Sequence, residues 1–104
     1  MKFPMRIFGE IKGLEPETID SLSRKSLSPF RLRDNRLEIE YEGPYIDIEP
    51  LLDEIAGALE EVGHGHVDCI DHENWEVIRY LIRQGAWSSR RINPDDVLEA
   101  YKWQ

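Results

Sequence analysis

All three histidines and the only cysteine of this chain lie between His64 and His72. Imidazole and thiolate are ligands that suit zinc, and Asp68 adds a carboxylate to the same stretch. On an extended strand, however, Cys69 points away from His66 and His72, and these two histidines lie about 20 Å apart at about 3.3 Å per residue. The segment around His64 would have to curl to bring its ring close. We therefore treat a metal or small-molecule site at His64, His66, Asp68 and His72 as the alternative hypothesis, and we predict no cofactor.

The same segment also contains groups that can transfer protons, since a carboxylate beside an imidazole is useful in acid–base catalysis. The chain has 21 acidic residues among 104, so a carboxylate near His72 is expected by chance. Asp71 has a structural role as a cap for free backbone N–H groups. No nucleophile stands in a glycine-framed turn, and His72-Glu73 does not begin the HExxH pattern of zinc proteases. The sequence therefore predicts no catalytic residue, and a weakly marked enzyme belongs only to the alternative hypothesis.

The net charge of -8 indicates which partners the chain favours. Nucleic acids are polyanions and are bound by basic surfaces, so an acidic chain is repelled by them at long range. Sandwich folds that bind RNA stack bases on sheet aromatics, whereas Glu38 and Glu40 occupy the corresponding outward positions of a predicted strand. We therefore predict no nucleic-acid binding. A basic protein partner agrees better with the charge.

Aromatic and arginine side chains in the C-terminal part of the chain are typical of protein interfaces. The candidate contact residues are Trp87, Arg90, Tyr101 and Trp103. Glu38 and Glu40 add an acidic face that would steer a basic partner. The sequence thus predicts a small acidic protein-binding or regulatory module without catalytic activity. An inhibitor or immunity protein is one version of it, and self-association as a homodimer is another.

Hydrophobic periodicity predicts the elements that position these residues. The predicted order is a strand at Met5–Lys12, a helix from Pro16, two strands within residues 30–42, a helix within residues 47–62 and a strand after Gly65. The strands alternate apolar and polar residues, and each helix has a proline in its first turn. Asp34-Asn35 joins the second and third strands through a two-residue loop, which pairs Leu32 with Leu37 and Arg31 with Glu38.

The remaining chain predicts two further helices. The first covers residues 71–84, with Asp71 as its cap, an apolar arc that includes Trp75 and Leu81, and Gly85 as its end. Residues 86–92 are predicted as a loop or a short edge strand. A C-terminal helix then begins after Asn93, which has the features of a cap, with a proline in the first helical position.

These elements predict the fold class and its setting. The order βαββαβ is that of an α+β, ferredoxin-like split βαβ sandwich, here with two additional C-terminal helices. A chain of 104 residues is expected to form a single α+β domain over residues 1–104. No apolar stretch is long enough to span a bilayer, which predicts no membrane partner. The start of the chain lacks the apolar region of a secretory signal, so we expect a cytoplasmic protein.

Overall fold

The computed structural model describes residues 4–93 of the chain. The elements are β1 (Met5–Lys12), α1 (Pro16–Ser23), β2 (Arg31–Arg33), β3 (Arg36–Gly43), α2 (Glu49–Ala58), β4 (His64–Asp71), β5 (Glu76–Arg83) and β6 (Ala86–Ile92). They form a small α+β structure with one six-stranded sheet in the order β2-β3-β1-β4-β5-β6. Every neighbouring pair of strands is antiparallel.

β1 lies in the interior of this sheet because it pairs on both sides. Ile7 is opposite Tyr41 of β3 on one side and opposite Cys69 of β4 on the other. The bounds of β1 are those predicted from its alternation. Ile7 and Ile11 are completely buried on the face that carries the helices. The alternate residues of β1 lie on the opposite face, which we call the second face.

The core lies between the sheet and the two helices. Its buried residues include Leu22 of α1, Leu52 and Ile55 of α2, and the inward residues of β1, β3, β4 and β5. α1 begins with Pro16, as predicted. α2 ends at Ala58, earlier than the predicted limit of residue 62, because Leu59 has an extended backbone conformation.

The β2–β3 hairpin confirms the predicted register. Leu32 is opposite Leu37, and Arg31 is opposite Glu38. Asp34 has a φ angle of 56°, a left-handed conformation that aspartate and asparagine tolerate better than most residues. The loop residues and the hydrophobic pattern therefore select the same pairing.

The predicted helix over residues 71–84 is wrong, because this segment forms a turn and then β5. Val77 is buried on the second face, whereas Tyr80 and Ile82 are buried on the helix side. A strand that buries apolar residues on both faces loses its alternation, and its apolar run then resembles the arc of a buried helix. Full-length pairing with β4 stabilises the strand.

The C-terminal part of the prediction also changes. Ala86–Ile92 is β6, an edge strand, which was one of the two predicted alternatives. The predicted helix after Asn93, including Tyr101 and Trp103, lies outside the described residues. The structure therefore replaces the first of the two additional helices with a β5–β6 hairpin. Neither helix of residues 4–93 is long and apolar enough to cross a membrane.

The backbones of β1 and β4 approach closely at two glycines. A Cβ atom on Gly65 would fall on the carbonyl oxygen of Glu10, and a Cβ atom on Gly9 would fall on that of His66. Any larger residue would push the two strands apart. Gly57 of α2 differs, because a Cβ atom there would meet no neighbouring atom within 4 Å.

These two environments predict opposite effects of the same substitution. Gly65→Ala should lower the free energy of unfolding by about 1 to 3 kcal/mol, because it overpacks the β1–β4 contact. Gly57→Ala should raise it by up to about 1 kcal/mol, because alanine favours the helix. Urea unfolding followed by circular dichroism measures both. Equal changes in the free energy of unfolding for the two variants would contradict the close approach of β1 and β4 at Gly65.

Candidate functional site

A pocket of about 210 Å³ opens on the helix side of the sheet, where α2 begins and the β4–β5 hairpin turns. Its lining comprises Met5, Tyr45, Ile46, Asp47, Ile48, Cys69, Asp71, Glu76, Ile78 and Tyr80. We call it the Tyr45 pocket. Apolar side chains from β1, β5 and the 44–48 segment share it with three carboxylates, so the pocket combines hydrophobic and negatively charged surfaces.

The segment between β3 and α2 is held by local hydrogen bonds. The hydroxyl of Tyr41 donates to the carbonyl oxygen of Pro44 at 2.6 Å. The carboxylate of Asp47 accepts the backbone N–H of Glu49 at 3.0 Å and so satisfies one free donor at the start of α2. These two contacts place Tyr45 beside the β4–β5 hairpin.

Asp71 ties Tyr45 to that hairpin. Its Oδ1 accepts the Tyr45 hydroxyl at 2.6 Å and the backbone N–H groups of Glu73 and Asn74 at 2.9 and 3.0 Å. Its Oδ2 accepts the Asn74 side-chain amide at 2.8 Å. Asp71 therefore caps free N–H groups, as predicted, but they belong to a tight turn and not to a helix.

These hydrogen bonds set the charge of Asp71. Burial raises the pKa of its carboxyl group, but the bonds from Tyr45, Asn74 and Glu73 outweigh burial and lower this pKa to about 2. The same contact with Asp71 raises the pKa of the Tyr45 hydroxyl. Near neutral pH the carboxylate is therefore charged and the phenol remains a hydrogen-bond donor.

Tyr80 and Cys69 are two further polar groups of the pocket, and both are neutral near pH 7. Burial raises the pKa of Tyr80, and its hydrogen bond to Glu49 at 3.0 Å adds to the effect. Burial also raises the pKa of the Cys69 thiol to about 12, and the charges of Asp68 and Glu49 act in the same direction. A thiol with this pKa is not an activated nucleophile. The pocket is thus better suited to binding than to covalent chemistry.

Two exposed aromatic rings lie at this end of the sheet. Tyr45 is 48% exposed and Trp75 is 47% exposed. Trp75 lies in the β4–β5 turn with a φ angle of 52°, a left-handed conformation that is costly for a bulky residue. Its ring centroid is 6.4 Å from that of His72. An exposed tryptophan held in a strained turn is a feature of binding sites rather than of cores.

The predicted interface residues do not form one surface. Trp87 lies on the helix side, where its Nε1 donates to Asp53 at 2.7 Å and its ring meets the edge of Tyr80. Trp87 thereby anchors β6 to α2. Arg90 lies on the second face, opposite Arg79 of β5.

The two predicted acidic contacts also lie on the second face. Glu38 forms an ion pair with Arg36 at 3.1 Å, and Glu40 is opposite Phe8. Tyr101 and Trp103 lie outside the described residues. A contact role for each of these side chains stays a prediction.

The residues of the alternative metal site are also dispersed. His64 and His66 lie near the start of β4, whereas His72 lies beyond its end in the turn. Asp68 is 1% exposed and accepts two hydrogen bonds from Arg79, at 2.8 and 3.0 Å. Within residues 4–93, no group of three or more histidine, cysteine, aspartate or glutamate side chains could hold a metal ion.

Comparison with known proteins adds no relative to this description. The chain matches no protein-family model, no curated protein and no solved structure.

Sequence reasoning missed Tyr45, Asp47 and Glu76 as site residues. The periodicity predicts Trp75 on the apolar arc of a helix, whereas the structure exposes it in a turn. A turn signal was present in the residues between Asp71 and Trp75, which include histidine and asparagine and interrupt the apolar pattern. Recognising that turn would have placed Trp75 on the surface.

The hydrogen bonds of Asp71 predict a defined effect of acid. Its pKa falls from 3.8 to about 2 on folding, so its contribution to stability is complete above about pH 4 and is lost as the pH falls towards 2. Tyr45→Phe removes one of these bonds and should raise the pKa of Asp71 towards 3.8. Carboxyl chemical shifts followed by NMR between pH 1.5 and about 6 measure this change.

Tyr80→Phe is the matched control, because the Tyr80 hydroxyl donates to Glu49 and not to Asp71. It should leave the titration of Asp71 unchanged. The same titration in both variants would show that the Tyr45 contact does not control the charge of Asp71.

Proposed function

We propose that this chain is a non-enzymatic, acidic protein-binding module that receives a basic protein partner at the Tyr45 pocket. A regulatory or inhibitor-like role, such as that of an immunity protein, agrees with this mode of binding. The observation that carries the proposal is a pocket with an apolar floor and an acidic rim, at the same end of the sheet as two exposed aromatic rings.

The dimensions of the pocket favour one side chain over a larger ligand. Sites for drug-sized molecules usually have volumes of about 300 to 1,000 Å³, and the Tyr45 pocket is smaller, at about 210 Å³. An arginine or lysine has an aliphatic stem that would contact Met5, Ile46 and Ile78. Its cationic head would then face Asp47 and Glu76.

The surrounding charges support a cationic partner. Glu49 and Glu73 add negative charge beside the pocket, because the Tyr80 hydroxyl donates to Glu49 at 3.0 Å and the Tyr45 hydroxyl lies 3.4 Å from Glu73. Among the described residues, the ion pair in this region is that between Arg91, which is exposed, and Glu76, which is half-buried, at 3.4 Å. Exposed pairs contribute little to stability, so a partner's cation can replace Arg91 at low cost. The net charge of -8 would also accelerate association with a basic protein.

The aromatic rings would supply much of the binding energy. Tryptophan, tyrosine and arginine are enriched at interface hot spots, and an arginine of the partner can stack on either ring. Trp75 is presented by a short turn whose backbone is held by Asp71, so little conformational freedom is lost on binding.

We also propose that β1, α1, β2, β3, α2 and β4 form a ferredoxin-like split βαβ unit within a single domain. The order β2-β3-β1-β4 supports this arrangement, because β3 lies between β1 and β2 as a split βαβ unit requires. The two helices share one core with these strands. The β5–β6 hairpin would then be an extension that adds Glu76 to the Tyr45 pocket. A cytoplasmic location is part of the same proposal.

Affinity capture followed by calorimetry with the purified partner tests the proposed interface. The wild-type chain should capture a basic protein and bind it with an affinity that falls steeply with salt. Trp75→Gly should weaken this binding by about 30-fold or more, as expected for a hot spot worth about 2 kcal/mol. Glycine tolerates the left-handed backbone of this turn, so stability should change little.

Paired charge substitutions provide the matched comparison. Asp47→Asn with Glu76→Gln should weaken partner binding and reduce its salt dependence. Glu38→Gln with Glu40→Gln makes the same change in net charge on the second face and should leave binding almost unchanged. If instead only the second pair abolishes binding, the partner docks on the second face. Native mass spectrometry that shows only a homodimer or a bound metal would also contradict the proposal.

A further inference from the structure

A larger open cavity lies at the other end of β4 and β5. Its volume is about 710 Å³, within the range of about 300 to 1,000 Å³ that is common for small-molecule sites. Its lining comprises Glu61, Val62, Gly63, His64, Gly65, His66, Leu81, Ile82 and Arg83. We call it the His64 cavity. It shares no lining residue with the Tyr45 pocket.

Basic side chains form one row across the strands beside this cavity, and His64 and Arg83 of this row belong to its lining. The register of the sheet places Lys12 opposite His64, and His64 opposite Arg83, in one row across β1, β4 and β5. Cross-strand neighbours of this kind have Cβ atoms about 4.5 to 5.5 Å apart. Lys12 and Arg83 are the cations at the two ends of this row, and their charges attract an anionic group.

The contacts of these side chains leave the guanidinium group of Arg83 available to an anion. Nδ1 of His64 is 2.9 Å from the carbonyl oxygen of Val62, which can only accept, so Nδ1 donates to it and this bond orients the ring. Lys12 forms an ion pair with Glu10 at 3.1 Å. No carboxylate of residues 4–93 forms an ion pair with Arg83. Glu61 is the acidic residue of the lining and would repel an anion, so the anionic group belongs at the Arg83 side.

The cavity also exposes apolar side chains beside these cations. Val62 is 58% exposed and Leu81 is 37% exposed. Large apolar side chains that line a cavity and contact solvent are a common sign of a ligand site. A purely inorganic anion would leave Val62 and Leu81 exposed to solvent. An uncharged apolar molecule would form no ion pair with Arg83.

We propose that the His64 cavity binds a small organic carboxylate with an apolar body, held by Arg83 at its head and by Val62 and Leu81 along its chain. Arginine suits this role because its planar guanidinium group can donate two parallel hydrogen bonds to a carboxylate. This site is independent of the Tyr45 pocket and of the protein partner proposed for it.

Three probes separate the contributions of charge and apolar surface. Octanoate, 1-octanol and acetate are titrated into the ¹⁵N-labelled chain, and backbone amide shifts are followed by NMR. Octanoate should give saturable shifts at residues 61–66 and 81–83. Octanol, which lacks the charge, and acetate, which lacks the chain, should each bind at least 10-fold more weakly.

Two arginine variants locate the carboxylate. Arg83→Gln should weaken octanoate binding at least 10-fold. Arg90→Gln removes an exposed arginine from the next strand of the same face and should leave the binding unchanged. The proposal would be overturned if the two variants bound octanoate equally or if octanol bound as tightly as octanoate. Shifts centred on the Tyr45 pocket would also overturn it. The amide spectra of the unliganded variants show directly that both are folded.

Discussion

The two-sided pairing of β1 is the constraint on which the rest of this structure depends. β1 forms hydrogen-bonded ladders with β3 and with β4 along almost its whole length. It thereby joins segments that are far apart in the sequence, and such contacts must overcome the entropy of closing long loops. The absence of side chains at Gly9 and Gly65 allows β1 and β4 to lie close enough for this pairing. The β5–β6 hairpin is then held on β4.

β4 and β5 pair along their whole length, and the two candidate sites lie at the two ends of this pair. One end of the pair contributes Asp71 and Glu76 to an acidic pocket with a phenol donor. The other end contributes His64 and Arg83 to a more open cavity. Asp71 and Glu76 therefore lie at one end of the two strands, and Arg83 lies at the other. A protein partner and a small anion could bind without competing for the same side chains.

Local patterns predicted β1, α1, the β2–β3 hairpin and α2 because each of them buries mainly one face. β1 and the β2–β3 hairpin alternate clearly, and the hairpin loop residues agree with the pairing of Leu32 with Leu37. β5 lost this alternation because Val77 is buried on the second face while Tyr80 and Ile82 are buried on the helix side. The apolar residues of this segment have a spacing that fits either a buried helix or a buried strand. Pairing with β4 selects the strand.

The candidate sites were harder to predict than the elements. The histidines and Asp68 are neighbours in sequence, but an extended β4 spreads them along its length, and Asp68 is paired with Arg79. Tyr45 and Asp71 are distant in sequence and are joined by a hydrogen bond across two elements. The local sequence around two distant residues does not indicate that their side chains are in contact in the folded protein.

Residue types and short spacings suffice for the acidic charge, for the positions of β1, α1 and the β2–β3 hairpin, and for the role of Asp71 as a cap for backbone N–H groups. Three other features require the folded chain: residues 76–83 form a strand, Trp75 is exposed, and Tyr45 and Asp71 share a pocket. The physical reason is that strand pairing and burial depend on partners distant in the chain, whereas capping, turns and alternation depend on immediate neighbours.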